Sequence, residues 1–528
     1  MTAPETIGAL PGTPEIPPVS AAMRETELKF ALTAPAFNAA QQWEKFDPAV
    51  RRPRARRLMA VYFDTAAGDL ARHKASLRVR TVNRRHVITF KWTGSFAGGW
   101  FERGEVEAAS PTPELDIALL PPEIAQAIIR LTAGRKLEAV YSSDIKRVVR
   151  LLHDGTGTIE MAFDSGVISA GDKTCPVREV EMEFKSGDAG ALYRLGLDFV
   201  AAFPARLESL SKAERGAALA SGKAPEAVRA VAGLQGEPVL DGAIGALINA
   251  CLGQFIANWP AFESGDAVKA VHQMRVAMRR LRSVLGLFQR AFPSAGFTVF
   301  REQARNIANA MGEARNWDVF AELLKTGPAA AFPGEAGFET LLAGVAQYRI
   351  AGHDAVRSLL GAAETLRFVL SLQGFAATHG WRNALAGEAL PELSVPARDF
   401  ADTSLARLHR RLLRDGKNIT HLSAEQRHEL RKDLKKLRYT VDLFGGLFDA
   451  RKQIAAYGKS LSKLQDRLGV FNDLAVAREL ALRLDAGDDV AASRAAGIVI
   501  GWCARGAVED DEGLRRMWKK VRRLKPFE

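Results

Sequence analysis

Three cysteines, Cys175, Cys251 and Cys503, are scattered over 528 residues with no Cys-x-x-Cys pair. That spacing excludes a disulfide scaffold and a cysteine-based zinc site, and it fits a reducing cytoplasm. No apolar run is read as approaching the ~18 residues of a spanning helix, so no membrane partner is expected. Residues 1–22 hold five prolines but no basic segment leading into an apolar core, so no secretory signal is read there. Nucleotide-loop chemistry is also missing. Gly458-Lys459-Ser460 lacks the earlier glycine of a P-loop, and Gly171-Asp172-Lys173-Thr174 breaks the Gly-Lys adjacency. His428-Glu429-x-x-Lys432 lacks the second histidine of a zinc-protease helix.

What is present is a chain with 47% hydrophobic and 25% charged residues, enough for two or three folded domains. The net charge is +12, unevenly placed. Residues 1–220 carry 29 Lys+Arg against 27 Asp+Glu, and residues 221–528 carry 44 against 34, so the second part holds +10 of the excess. A basic half expects an anionic partner.

From Arg24 to Phe184 the pattern is mostly of period two, which predicts strands. Helical stretches interrupt it near Pro121–Thr132 and Ala189–Phe203. After Leu240 the period is helical nearly to the end, with breaks near Thr326–Gly337, Ala386–Pro396 and Asp415–Ser423. The expected organisation is a lead-in over 1–22, an α+β domain over 23–221, a linker over 222–239 and an all-α domain over 240–528.

Alternation puts Glu25, Glu27 and Lys29 on one strand face, with Leu28, Phe30 and Leu32 on the other. Arg78 and Arg80 share a face, as do Arg103, Glu105 and Glu107, and as do Glu179, Glu181 and Glu183. The apolar faces need a core, which helices could cover from outside. Closing the sheet then places the ions inside. A charged lumen is costly unless a multivalent anion and divalent metals fill it. Carboxylates suit Mg²⁺ or Mn²⁺, and Arg and Lys suit phosphate oxygens.

Glu25-x-Glu27-x-Lys29, Tyr62-Phe63-Asp64-Thr65, Leu77-Arg78-Val79-Arg80, Thr89-Phe90-Lys91, Arg103-x-Glu105, Arg147, Asp164, Glu179-x-Glu181-x-Glu183 and Ser211-Lys212 follow in an order that resembles the CYTH superfamily, the triphosphate tunnel metalloenzymes. The resemblance implies a closed tunnel of eight antiparallel strands that hydrolyses or cyclises triphosphates. It implies that Lys29, Arg78, Arg80, Lys91, Arg103, Arg147 and Lys212 grip the phosphates, with Lys146 and Arg150 close enough to compete with Arg147. It also implies Glu25, Glu27, Asp164, Glu181 and Glu183 as ligands for Mg²⁺ or Mn²⁺. Glu105 and Glu179 are either ligands or tunnel partners, and Glu160 is a reserve ligand. Glu25, Glu27 and Lys29 are the candidate catalytic set; a second metal, a glutamate ligand beside it, or Lys29 as a base of depressed pKa would deprotonate the attacking water, and the sequence does not decide among them.

In the helical part, two segments match. His272, Arg275, Arg279 and Arg282 form one helical stripe, and His428, Arg431, Lys435 and Arg438 form another at the same offsets. Met274, Met278, Leu281 and Leu285 lie opposite the first, and Leu430, Leu434, Leu437 and Val441 opposite the second. Met311-Gly312…Arg315-Asn316 and Leu468-Gly469…Asn472-Asp473 follow at similar distances, which argues an internal duplication. Like charges at i,i+3 and i,i+4 destabilise an isolated helix, so a recurring column of cations suggests a polyanion lying along it. His409, Arg410, Arg411, Arg414 and Lys417 form a further basic cluster, and Arg301, Arg305 and Arg315 could add to the rim. The paired helices resemble a CHAD domain, which implies two four-helix units facing across a basic groove and a polyphosphate ligand.

The expected protein is a metal-dependent inorganic triphosphatase with an appended polyphosphate-binding domain, cytoplasmic and able to associate with polyphosphate granules. The alternatives are a polyphosphate-docking protein with little turnover, a phosphatase of thiamine triphosphate or nucleoside triphosphates, and an adenylate cyclase. A nucleic-acid partner is disfavoured, because few aromatics interleave with the cations for base stacking.

Overall fold

The computed structural model describes residues 26–46, 53–93, 103–229, 233–385, 390–484, 489–506 and 511–524. They form two compact units. One takes the described residues up to Val228 together with Leu252–Asp266 and Gly361–Gly380. The other takes Arg229–Cys251, Ala267–Leu360 and the described residues from Trp381 onward.

The first unit is built on an antiparallel sheet: β1 (Glu27–Leu32), β2 (Arg56–Asp64), β3 (Ala75–Val82), β4 (Arg85–Thr93), β5 (Arg103–Ser110), β6 (Glu138–His153), β7 (Gly157–Ala170), β8 (Lys173–Gly187) and β9 (Ala205–Leu207). The order is β5-β4-β3-β2-β6-β7-β8-β1-β9. Nine strands therefore stand where eight were expected, and hydrogen bonds do not close the sheet on itself. The additional strand pairs Ala205–Leu207 with Phe30–Leu32. It follows Pro204 and is too short to show alternation. β6 was hidden differently: Val148-Val149 and Leu151-Leu152 double the apolar positions and blur the period.

The apolar faces are covered from behind. Leu28, Phe30, Phe163, Val180 and Met182 pack with Phe37 and Phe199 from the helices Ala34–Ala40 and Gly190–Ala202. Leu77, Val79, Ile88 and Phe90 pack with Ile124 and Ile128 of the helix Pro122–Thr132. Burying one face leaves the charged face of every strand on the other side.

The second unit is helical. The first stripe lies on the helix Ala267–Ala291 and the second on Ala424–Phe444. The latter starts at a capping box between Ser423 and Gln426. All eight apolar positions opposite the stripes are buried, so tertiary packing holds both helices against their self-repulsion. The run Leu240–Ser264 does have the length and hydropathy (1.4) of a spanning helix, contrary to the sequence reading. Its most apolar window is 78% buried within the protein, as a core helix would be.

Candidate functional sites

The charged face of the sheet surrounds a cavity of about 770 Å³. Strand register decides who meets whom, because directly opposed residues share a face. Lys29 opposes Glu181 and Glu27 opposes Glu183. Asp164 sits between Arg147 on one side and Glu179 on the other, and Lys91 opposes Glu105.

At one side of the cavity, Arg147 donates to both oxygens of Asp164 at 2.7 and 2.6 Å and to Glu181 at 2.5 Å. Lys212 pairs with Asp164 at 2.6 Å, with Glu181 at 3.0 Å and with Glu179. Lys29 lies 3.2 Å from Glu181 and 3.4 Å from Glu27. A capping box between Ser211 and Glu214 starts the helix Lys212–Ser221 and so holds Lys212 at its first position. One turn on, Arg215 pairs with Glu179 and, at 3.6 Å, with Glu208. Asp164, Glu179 and Glu181 have oxygens within 4.8 Å of one another, a repulsion that only these cations relieve.

Burial alone would push Lys29, Arg147 and Lys212 down, but the facing carboxylates more than reverse this and hold all three above their ordinary values. Burial pushes Glu181 up, yet Lys212, Lys29 and Arg147 hold it well below the usual carboxylate range. Lys29 thus does not have the depressed pKa expected of a base. It is a firmly protonated ammonium.

Across the cavity, Lys91 is 2.7 Å and Arg78 3.8 Å from Glu105. Arg80 is 3.8 Å from Glu107, which also accepts from Thr89 at 3.0 Å. Arg78 donates to the Tyr62 hydroxyl at 3.4 Å, and Tyr62 stacks on Tyr141 with centroids 4.6 Å apart. Burial pushes the Tyr62 phenol up, but Arg78 and Lys212 bring it below its ordinary value. The Arg78 Nε is buried with no hydrogen-bond partner.

Glu183 lines the cavity and pairs with Lys185 at 2.7 Å. Glu160 opposes Glu183 in register. Of the three cations weighed at one position, Arg147 enters the cavity, Lys146 is exposed and Arg150 lies over the Phe46 ring at 4.5 Å. Glu25 lies outside the described residues, as does the side chain of Arg103, whose backbone opposes Thr93. Sequence reasoning missed Arg215 and Tyr62. The first had a signal, since a helix starting at Ser211 puts Lys212 and Arg215 one turn apart on one face.

In the helical unit the stripes behave differently. Among the described residues, Arg275, Arg279, Arg282, Arg431 and Lys435 have no carboxylate within ion-pair distance. Burial and the neighbouring cations depress four of them: Arg282 and Arg431 below their ordinary values, Arg275 to about 10, crowded by Arg279 and Arg315, and Lys435 to about 7, crowded by Arg431, Arg279 and Arg275 with partial relief from Asp473. His272 falls to about 4 through burial and the charges of Arg315, Arg279 and Arg275. Arg279 acts on Arg431 and Lys435, so the two repeats bring their stripes to one place. Arg301 and Arg305 crowd Arg282, and Arg315 belongs to the same cluster.

Two expected members are placed otherwise. Arg438 bonds to Gln465 at 2.9 Å and Asp442 at 3.2 Å and lies over the Tyr439 ring, and His428 is exposed. The further basic cluster is largely spent on internal partners. His409 bonds to the Tyr457 hydroxyl at 2.5 Å, Arg411 to Asp433 at 2.8 Å and Arg414 to Asp415 at 2.7 Å.

Comparison with known proteins bears on the two domains. Residues 23–217 match the model of the CYTH domain and residues 246–482 that of the CHAD domain. A Haemophilus influenzae protein named inorganic triphosphatase is 32% identical over 169 residues, 30% of this chain and 45% of that one, so the match spans less than half of that relative. An uncharacterized Mycobacterium tuberculosis protein is 26% identical over 454 residues, 81% of this chain and 82% of its own. The crystal structure of the CHAD domain from the plant Ricinus communis is 30% identical with a TM-score of 0.47, covering 57% of this chain and 98% of that one. The two domain matches, in this order along the sequence, identify the chain as a CYTH–CHAD protein.

Proposed function

We propose that the cavity hydrolyses inorganic triphosphate to diphosphate and phosphate with Mg²⁺ or Mn²⁺, and that the stripes of the helical unit bind polyphosphate. The observation that carries the first part is a cavity in which Lys29, Arg78, Arg80, Lys91, Arg147 and Lys212 each face a carboxylate. Such a site is electrically satisfied when empty. A triphosphate can take Arg78, Arg80, Lys91, Arg147 and Lys212 as partners only if the carboxylates are neutralised as it binds.

The donors fit a hard divalent cation, being carboxylate oxygens of Glu27, Glu181 and Glu183 on neighbouring strands. Glu25, by alternation, would join them. Asp164 and Glu181 would each bind the metal only by exchanging one of their cations, since both oxygens of each already accept from Arg147 or Lys212. When bound, the metal would neutralise charge on phosphate oxygens and favour deprotonation of a water. The chain's own part is to fix the phosphates. Arg78, Arg80 and Lys91 would hold one end, and Arg147 and Lys212 the other, as a preorganised field for the charge that shifts in phosphoryl transfer. Lys29 lines the same cavity and would bind a phosphate oxygen once its carboxylate partners are taken by metal. A closed eight-stranded tunnel belongs to this reading too, with the curved sheet completing its walls around a bound substrate.

Phosphate release from inorganic triphosphate, thiamine triphosphate, ATP and long-chain polyphosphate, each with Mg²⁺, Mn²⁺ or chelator, tests the assignment. Metal-dependent turnover fastest on inorganic triphosphate is expected. Binding of polyphosphate without turnover of any substrate would leave the docking reading instead.

A further inference from the structure

The helix Gly190–Ala202 is buried on more than its sheet-facing side: Leu192, Tyr193, Gly196 and Phe199 are all within the core. Arg194 and Asp198 stay exposed, but Leu195 and Val200 widen the buried arc, and an apolar arc so wide needs a second covering layer. That layer is the helix Ala363–Ala377, which lies in sequence between the two basic repeats yet belongs to the β unit. Its Leu366 and Leu370 sit in the same apolar cluster as Leu28 and Phe30 of β1. The approach leaves little room at Gly374 against Tyr193, while Gly196 mainly makes room for Leu28 of β1. A Cβ at Gly374 would come within 3.1 Å of the Tyr193 Cβ, and one at Gly196 within 2.8 Å of Leu28 Cδ1 and 3.7 Å of Leu370 Cδ1.

β1 is thus pinned from behind by a stack of two helices, the outer one supplied from more than 300 residues downstream. Its other face carries Glu27 and Lys29. We infer that the helix Ala363–Ala377 is a positioning element of the triphosphate site, fixing β1 so that Glu27 and Lys29 meet metal and phosphate in register. This rests on the hydrolytic reading above. It also means that residues 1–222 would not make a self-sufficient catalytic module, although the sequence places the boundary of the β domain at 221.

The test uses the full chain. Leu370→Ala loosens the clamp. Gly374→Leu pushes the helices apart while raising helix propensity, so a loss there cannot come from melting the helix. Leu370→Met is the conservative control. Three readouts are taken: kcat and KM for triphosphate, the Mg²⁺ concentration for half-maximal rate, and hydrogen exchange over 27–32. In both disruptive variants kcat should fall about tenfold or more, as sub-ångström misplacement of reacting groups does. KM should change little, the Mg²⁺ requirement should rise, and exchange should speed up in 27–32 with polyphosphate binding intact. Leu370→Met should behave as the parent. Unchanged kinetics and exchange in both disruptive variants would overturn the inference, and so would exchange raised uniformly with polyphosphate binding lost. A parent inactive on every triphosphate would instead sink the hydrolytic reading, leaving exchange over 27–32 to decide the clamp.

Discussion

Lys212 and Lys435 are both largely withdrawn from water, and their surroundings drive them in opposite directions. Asp164, Glu179 and Glu181 hold Lys212 above its ordinary pKa, whereas Arg431, Arg279 and Arg275 help bring Lys435 down to about 7. The β unit stores its cations already neutralised. The helical unit stores Arg275, Arg279, Arg282, Arg431 and Lys435 without a facing carboxylate among the described residues, with its buried apolar face bearing the cost. On the proposed function, the first arrangement would admit a polyanion only together with divalent metal, and the second would take up a polyanion directly and gain stability as it did so.

The sharpest way to break this contrast is to remove one lysine from each unit. Lys212→Ala leaves buried carboxylates uncompensated and should cost ~3–5 kcal/mol, read by urea unfolding. Lys435→Met keeps the packed stem and should leave stability equal or higher. Equal losses in the two would end the distinction. Next in size, Glu27→Gln keeps shape but removes charge. Turnover should fall by about 10² or more with the fold and polyphosphate binding retained, and full activity at ordinary metal concentrations would remove Glu27 from the metal set.

The triple variant Arg275→Ala, Arg279→Ala and Arg282→Ala should weaken polyphosphate binding without metal, measured by fluorescence anisotropy. Its log–log salt slope should shrink by roughly two, while triphosphate hydrolysis stays as in the parent. A smaller effect is expected from pH. Lys435 titrates near 7 in the folded protein against 10.5 ordinarily, so the folded state binds fewer protons than the unfolded one across that window. Stability should therefore rise with pH from about 7 toward 10.5, and polyphosphate affinity should fall between pH 6 and 8 as the ammonium is lost. Lys435→Arg should flatten the affinity profile. Least of all, Arg438→Ala should barely change affinity, because Asp442 and Gln465 already occupy its guanidinium.

Much of this was legible in local pattern. Alternation in Glu27–Leu32 and Ala75–Val82 gave both the strands and the charged face that lines the cavity, and matching offsets in 272–282 and 428–438 gave the duplicated helices. Partners distant in sequence were not legible. The period of 363–377 says helix, but nothing local says that its core is that of β1. Asp442 takes Arg438 out of its stripe one turn later, although i,i+4 pairing could have flagged it. The depression of Lys435 depends on Arg279, which lies 156 residues earlier.

The pairing of Lys212 and Arg215 with the β7 and β8 carboxylates has a consequence for synthesis. A nascent chain emerging from the ribosome N-terminus first has made all nine strands by Leu207 but neither of these cations. Until they appear, Asp164, Glu179 and Glu181 have only Lys29 and Arg147 to offset them, and burying all three as anions is unfavourable. The ladder between β7 and β8 can zip early, but the cavity side must stay wet or protonated until the helix starting at Ser211 clears the exit tunnel. The order of residues along the chain thus sets a late checkpoint: the site cannot assume its charged, water-poor form before its last cations are delivered.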